Sequence, residues 1–461
     1  MARNSSTTTI AIIVFSAYIF VHVIFDYGHV FFGHKRERDI TEEFMIDVST
    51  KKIRKISAPS KKKKTAKKTT NPGKMELYHK KLIKPLTNED KERWIKKIWE
   101  TNQLESHENR EEVNILWWFT NTGKSGKKRE ARNFDEFKDK CGPCNLVTSR
   151  SFEKTADAIV VSNTVMSHYT APQVARRKFP DMTSRNLSQI WVFENKESGI
   201  KQEHEPRTIN PEVDAAYNAT MSYRTDSDIT RHFGDAESVI AQLRFDADGN
   251  LVSSNEDYAK NLMKRKFPYG SEYNTAWFVS NCDYTSGARK RFAFGKEMIE
   301  KGLKLYSEGE CFGHKTERQF HRGGSAEFPL QRVKFYLAFE NAYHCNDYIS
   351  EKFWRNSFMN ELVPVVFGPH PDDVRRVAPP NSYIHSEDFD SVEDLLEYMD
   401  FLDKNDTAYL EFHKWKNLYP SGKNPHSKCL QHLGTVNRTI CLLCRLIRDR
   451  RAKKSASLTN P

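Results

Sequence analysis

At 461 residues, 38% apolar and 12% aromatic, the chain is long enough for two domains with real cores plus tails, and its composition excludes a disordered protein. A formal charge of +12 points first to nucleic acid, but the excess is concentrated in KKIRKISAPSKKKKTAKKTTNPGK, Lys51 to Lys74, and the remainder is close to balanced. That tract reads as a solvated linker, with a nuclear signal or nucleic-acid arm as the sharper alternative.

What precedes it favours the linker. Thr7 to Phe25 runs without a formal charge, long enough nearly to span a bilayer core. It ends in FVHVIFDYGHVFF rather than in the small residues of a cleavage site, so an uncleaved signal-anchor is predicted rather than a secretory leader. Arg3 before the span and Lys35, Arg36 and Arg38 after it leave the orientation open. Residues 1–6 are then a short tail, 7–25 the anchor, and 26–105 a basic flexible stem with too little apolar surface to join a core. A soluble, active chain is expected to begin near residue 105.

Beyond the stem the pattern is α/β. EVNILWWF (112–119), DAIVVS (157–162) and QIWVFE (189–194) are short apolar runs suited to strands buried on both faces. They alternate with polar stretches long enough for crossover connections. After a charged, poorly patterned passage from Glu237 to Lys266 the rhythm restarts: strand TAWFVSN (275–281), helix ARKRFAFGKEMIEKG, strand LKLYSEG, strand KFYLAFE, a polar loop, a helix from about Ser350 to Glu361, and strand VPVVFG. Two successive rhythms predict two Rossmann-like domains facing a cleft, at 106–265 and 266–420, followed by a cysteine-containing tail, 421–461.

Ligands of open parallel sheets bind where strands lead into helices. The loop Glu340 to Ile349 occupies such a place, and the predicted helix after it opens with Glu351 and Lys352. Unpaired N–H groups at a helix start together with a lysine suit a phosphorylated ligand; a surface ion pair is the plain alternative. The chain contains neither G-x-G-x-x-G nor G-x-x-x-x-G-K-S/T, so no dinucleotide fingerprint or P-loop is signalled.

Eight cysteines lie beyond the anchor: Cys141, Cys144, Cys282, Cys311, Cys345, Cys429, Cys441 and Cys444. The two C-x-x-C pairs are too far apart, and too poor in partnering histidines, to favour zinc, so disulfides in an oxidising lumen are predicted. At least one of Cys441 and Cys444 is expected to pair with a cysteine outside the tail, with Cys345 or Cys429 as the favoured partner, so that the tail packs beside the second domain, because closing a long loop stabilises more. Asn186, Asn218, Asn405 and Asn437 stand in N-glycosylation triplets.

The segment FYLAFENAYHCNDYISEKFWRNSFMNELVPVVFGP closely resembles the signature of the α1,3-fucosyltransferases. YNATMSYRTDSDITRHFG, QIWVFENKESG and TAWFVSNC resemble three further hallmarks in the same order, so the resemblance covers Ile115 to Leu418. It implies a GT-B fold, with an acceptor-side first domain and a GDP-fucose-binding second domain. It also implies a single-pass type II anchor in the Golgi membrane, with the catalytic region luminal, no nucleic-acid partner, and inverting transfer of fucose to the 3-hydroxyl of a GlcNAc residue.

Within the resemblance, Trp191 and Val192 set the register that places the family's general base on Glu197. Glu194 is the rival, since KES stands where many members carry a proline. Ser280, Asn281 and Arg289 are implied to approach the diphosphate, with Arg291 as the alternative to Arg289, and Tyr348, Glu351 and Lys352 to line the fucose and pyrophosphate. No metal is required on this reading, although Mn²⁺ or Mg²⁺ as a stimulant is left open. Asp226 and Asp228, like Asp246 and Asp248, have the spacing of a metal pair, but the first two belong to the SYRTDSD hallmark. The C-x-x-C pairs resemble those of members acting on the core GlcNAc of glycoprotein N-glycans. A luminal glycan-binding protein without turnover and a GDP-sugar transferase making another linkage are the competing functions.

Overall fold

The computed structural model describes residues 72–100, 111–118, 143–162, 179–183, 185–198, 215–244, 251–313, 330–418 and 435–459. All lie in one compact unit, Thr69–Pro461. The helices are α1 Pro72–Leu82, α2 Asn88–Glu100, α3 Ala236–Arg244, α4 Asn255–Arg265, α5 Ser286–Glu300, α6 Pro371–Val377, α7 Val392–Lys404, α8 Asp406–Glu411 and α9 Thr435–Thr459.

Two parallel sheets organise the unit. The first comprises β1 Val113–Trp118, β2 Cys144–Val147, β3 Ala158–Ser162, β4 Ile190–Asn195, β5 Ala219–Ser222 and β6 Ile229–Thr230, in the order β2-β1-β3-β4-β5-β6. Every residue of β3 is buried, as expected of a parallel strand covered on both faces. Period-two alternation divides the side chains between two cores. Val113, Ile115, Val160 and Val192 face one core, while Leu116, Trp118, Ile159 and Trp191 face the other. The three predicted strands of this sheet are present as β1, β3 and β4; β2, β5 and β6 are too short or too polar to stand out by hydropathy.

The second sheet comprises β7 Thr275–Phe278, β8 Leu305–Glu308, β9 Phe335–Phe339, β10 Val363–Phe367 and β11 Ile384–His385, in the order β11-β10-β9-β7-β8. From β7 the chain moves one way to β8 and then crosses back to β9, so the direction of winding reverses between β7 and β9. The carboxyl ends of those two strands form the switch point at which such sheets take ligands.

Several expected boundaries are corrected. The flexible stem was expected to reach residue 105, yet α1 docks on the second sheet's core. Met75 and Tyr78 are buried there, the Tyr78 ring lies 4.9 Å from that of Phe389, and Lys74 pairs with Asp394. The basic tract hid the spacing of Met75, Tyr78 and Leu82, which puts one apolar face on a helix. The first domain was expected to extend to residue 265. Instead, Val239 and Ile240 of α3 share a core with Tyr336 and Phe353, so the chain joins the second sheet soon after β6.

The tail was expected beside the second domain, but α9 returns to the first sheet. Ile440, Leu443 and Ile447 pack on Val113, Val160 and Val192, and Cys444 is bridged to Cys144 across 300 residues. One tail cysteine thus pairs outside the tail as expected, but Cys444 takes Cys144 on β2 and not Cys345 in the polar loop, which is a free thiol; Cys441 is disulfide-bonded as well. Cys429, Cys141 and the anchor at 7–25 lie outside the described residues. Among those described, no helix is long and apolar enough to cross a membrane.

Candidate functional site

The switch point is closed by short-range devices that the local sequence explains. After β7 the chain turns through Val279 to Thr285, and the Cys282–Cys311 disulfide staples this turn to the segment following β8. Gly309, at φ +114°, passes so near Val279 that a Cβ would fall 2.1 Å from its carbonyl oxygen. Thr285 caps α5 by accepting from the Ala288 N–H at 3.0 Å, and its hydroxyl donates to the Asn341 carbonyl at 2.5 Å. Gly287 allows the helix to meet the second loop, since a Cβ there would lie 2.6 Å from Ala342 Cα.

On this rim Ser280 is exposed and Asn281 half-buried. The two candidate arginines separate clearly. Arg289 is exposed and donates to the Asp283 carbonyl at 2.8 Å. Arg291 is buried and ties the strand ends together, donating to the carbonyls of Phe339 and Asn281, each at 2.8 Å.

At the end of β9 stands Glu340, buried to 1% exposure. Its carboxylate accepts from the Ser350 N–H at 2.8 Å, from the Ser350 hydroxyl at 2.7 Å and from Lys352 Nζ at 3.1 Å. The helix expected from 350 to 361 is instead a π-helical turn, Lys352–Ser357, followed by a 3₁₀ turn, Phe358–Asn360. The Ser350 N–H, two residues before that turn, is taken by the Glu340 carboxylate, while the Lys352 N–H faces Ser350 Oγ at 3.5 Å.

Lys352 also donates to Ser350 Oγ at 2.8 Å and reaches Glu351 at 3.3 Å. Burial alone would lower the ammonium's pKa, but the carboxylates of Glu340 and Glu351 raise it, so the lysine stays charged. Burial likewise favours a neutral Glu351, yet Lys352 and the turn's own N–H hold its carboxyl down at about 2.

The loop between Glu340 and Ser350 holds two non-glycine residues in the left-handed region, His344 at φ 50° and Asp347 at φ 61°. Tyr348 follows, 3% exposed, with the Tyr223 ring edge-on at 5.0 Å and Phe233 at 6.0 Å. Burial first, and then the carboxylates of Glu340, Glu197 and Glu351, push the phenol well above its usual range, so it is a neutral donor. Its hydroxyl donates to Glu197 Oε2 at 3.4 Å.

Glu197 sits just past β4, where Asn195 Oδ1 accepts the Glu197 N–H at 3.1 Å and fixes a local turn. Glu194, three residues earlier, is buried within the strand and ion-paired to Arg231. The structure therefore brings Glu197 of the first sheet against Tyr348 of the second. Glu351 and Lys352 lie in the turn behind Tyr348, with Ser280, Asn281 and Arg289 on the neighbouring rim. Glu340 and Ser350 went unrecognised as site residues, although a carboxylate closing the apolar run KFYLAFE was a visible signal.

The remaining candidates are dispersed. Asp226 pairs with Arg224, while Asp228 accepts from Thr220 and pairs with Arg450, so the two carboxylates serve different partners. Among the described residues no cluster of three metal-ligating side chains occurs; Asp246 and Asp248 lie outside them. Asn186 is exposed, Asn218 bonds the β4 backbone through Trp191 N and Gln189 O, Asn405 caps α8, and Asn437 lies in α9.

Two parallel α/β sheets, with carboxylate, phenol and ammonium gathered where their strands end, define the class: a double-sheet α/β protein with these side chains brought together between its halves. Residues 270–460 match the family described as Glycosyltransferase family 10 (fucosyltransferase) C-term, and residues 110–234 match Fucosyltransferase, N-terminal. The chain belongs to this family. It is 33% identical over 283 residues to a human 4-galactosyl-N-acetylglucosaminide 3-alpha-L-fucosyltransferase, covering 59% of this chain and 65% of that one. A chimpanzee (Pan troglodytes) 3-galactosyl-N-acetylglucosaminide 4-alpha-L-fucosyltransferase is 32% identical over 278 residues, covering 59% and 62%. The matches thus span slightly less than two thirds of these relatives. A crystal structure of an alpha1,3-fucosyltransferase with GDP-fucose is similar at TM-score 0.44 and 14% identity, covering 76% of this chain and 94% of that one.

Proposed function

We infer that the chain is an enzyme that transfers fucose from GDP-fucose to the 3-hydroxyl of a GlcNAc residue, with inversion. The observation that carries this reading is the meeting of Glu197 and Tyr348 across the two sheets. A base on one half beside a neutral donor on the other suits a single displacement between two bound substrates, and such contacts tighten when substrate binds. Membership of the family, and the activities for which the relatives are named, support fucose transfer and a GlcNAc-containing acceptor.

Glu197 takes the proton of the acceptor hydroxyl as its oxygen attacks the anomeric carbon. Glu351 faces the positive charge that develops on the sugar ring. Lys352, with Arg289, Ser280 and Asn281 on the rim, stabilises the diphosphate as it leaves. The exposed guanidinium makes Arg289 the better phosphate ligand, because Arg291 is spent on two carbonyls. The acceptor side is the first sheet and the donor side the second, in a GT-B arrangement. The amino-terminal apolar run anchors the protein in the Golgi membrane as a type II chain, and the acceptor is a glycoprotein N-glycan, with the core GlcNAc preferred.

A GDP-fucose hydrolysis assay followed by an acceptor panel tests the reading. Turnover only with GlcNAc-bearing acceptors is expected. GDP-fucose binding without turnover on any of them would leave a glycan-binding protein instead, and turnover that yields another linkage would leave a different transferase.

A further inference from the structure

The contact between Glu197 and Tyr348 depends on how the two sheets are held together, and the described residues contain a second set of bonds across the same boundary. The turn after β5, Tyr223 to Ser227, belongs to the first sheet. Its Thr225 gives both its N–H and its hydroxyl to Asp347 Oδ2 of the second sheet's loop, at 2.9 and 2.8 Å. Two residues earlier, the Tyr223 hydroxyl meets Cys345 Sγ at 3.4 Å. Asp347 is fixed from behind as well: its N–H donates to Asp373 Oδ2 at 2.9 Å, and Arg376 Nη1 lies 3.3 Å from its other oxygen. Its backbone is left-handed, so the next residue, Tyr348, is turned the opposite way, into the site.

We propose that Thr225 and Asp347 are positioning residues that latch the first sheet's turn to the donor-side loop, and so hold the Tyr348 phenol in register with Glu197. This rests on the reading of Glu197 as the base. The latch touches neither of those groups directly and acts through the loop that carries Tyr348. Its physical logic is economy of motion. A carboxylate that accepts two donors from one residue of the facing half sets both distance and direction, whereas the aromatic contacts of Tyr223 and Phe233 with Tyr348 fix only distance.

Kinetics and calorimetry on the full chain test it. In Thr225→Val the hydroxyl donor is lost from an exposed residue of a well-packed turn, and in Asp347→Ala the acceptor is lost altogether. Since small misplacements at a reacting centre are costly, kcat is expected to fall about tenfold in the first and further in the second, with the Kd for GDP within about twofold of wild type. Thr225→Ser and Asp347→Asn keep the donor and the acceptor, and are expected to restore most of the rate. The inference is overturned if kcat is unchanged in Thr225→Val and Asp347→Ala, if GDP affinity falls in step with kcat, or if the conservative variants are as impaired as the others. A wild-type chain that transfers no fucose would overturn the proposed function and the latch with it. An active wild type with an unaffected Thr225→Val would overturn the latch alone.

Discussion

Glu194 and Glu197 stand three residues apart, yet one is ion-paired within a strand and the other looks across the cleft. Glu197→Gln is expected to keep GDP affinity while lowering kcat by about two to four orders of magnitude, because a positioned base is worth that much. Glu194→Gln is expected to lower the stability of the fold instead, because the buried Arg231 loses the negative charge of Glu194 facing it; a denaturant titration beside the kinetic assay separates the two. Lys352→Ala and Arg289→Ala should each weaken GDP binding by about 1.5–3 kcal/mol if the contacts are charge-assisted, and unchanged calorimetric affinity in both would remove their phosphate role. Glu351 is held at about 2, below its unfolded value. Its contribution to stability is therefore complete above the unfolded carboxyl range, about 4.3, and is lost as pH falls through the folded value. Acid unfolding of wild type and Glu351→Gln should converge over that window. At this scale the register of Trp191 and Val192 singled out Glu197 as the proposed base, and the structure places that side chain against Tyr348. Glu340 and Asp347 were not, because a carboxylate's partner is set by chain crossings that no local pattern encodes.

Among the elements, α1 and α9 depart furthest from what their sequences suggested. A chain begun near residue 105 lacks Met75 and Tyr78, two buried side chains worth about 1.5–3 kcal/mol each. It should melt below one begun at 69, and equal melting temperatures would mean that α1 adds nothing to the second sheet's core. Cys444→Ala should cost about 2–5 kcal/mol and free α9 from the first sheet, which limited proteolysis would detect as early loss of the carboxyl terminus. An intact, equally stable variant would contradict that role. The strands of continuous apolar residues, β1, β3, β4, β7, β9 and β10, were readable from hydropathy alone. Cys144 was passed over as a partner because β2 has only four residues and lies at a sheet edge, where a strand leaves little periodic trace.

For the whole molecule, the two α/β rhythms predicted two parallel sheets, and the reversal of winding between β7 and β9 explains why the residues proposed for the donor side gather there. The return of α9 to the first sheet and the early departure of α3 to the second were hidden, because amphipathic helices carry an apolar face without saying which sheet will cover it. The central claim is that a base on the first sheet and a donor site on the second perform one inverting displacement. It is tested most directly by NMR of the product formed from GDP-fucose and a GlcNAc-bearing glycan, run beside Glu197→Gln. The expected result is fucose linked through an inverted anomeric centre to the 3-hydroxyl of GlcNAc, with almost no product from the variant. Retention at the anomeric carbon, attachment elsewhere, or full activity without the Glu197 carboxylate would contradict it.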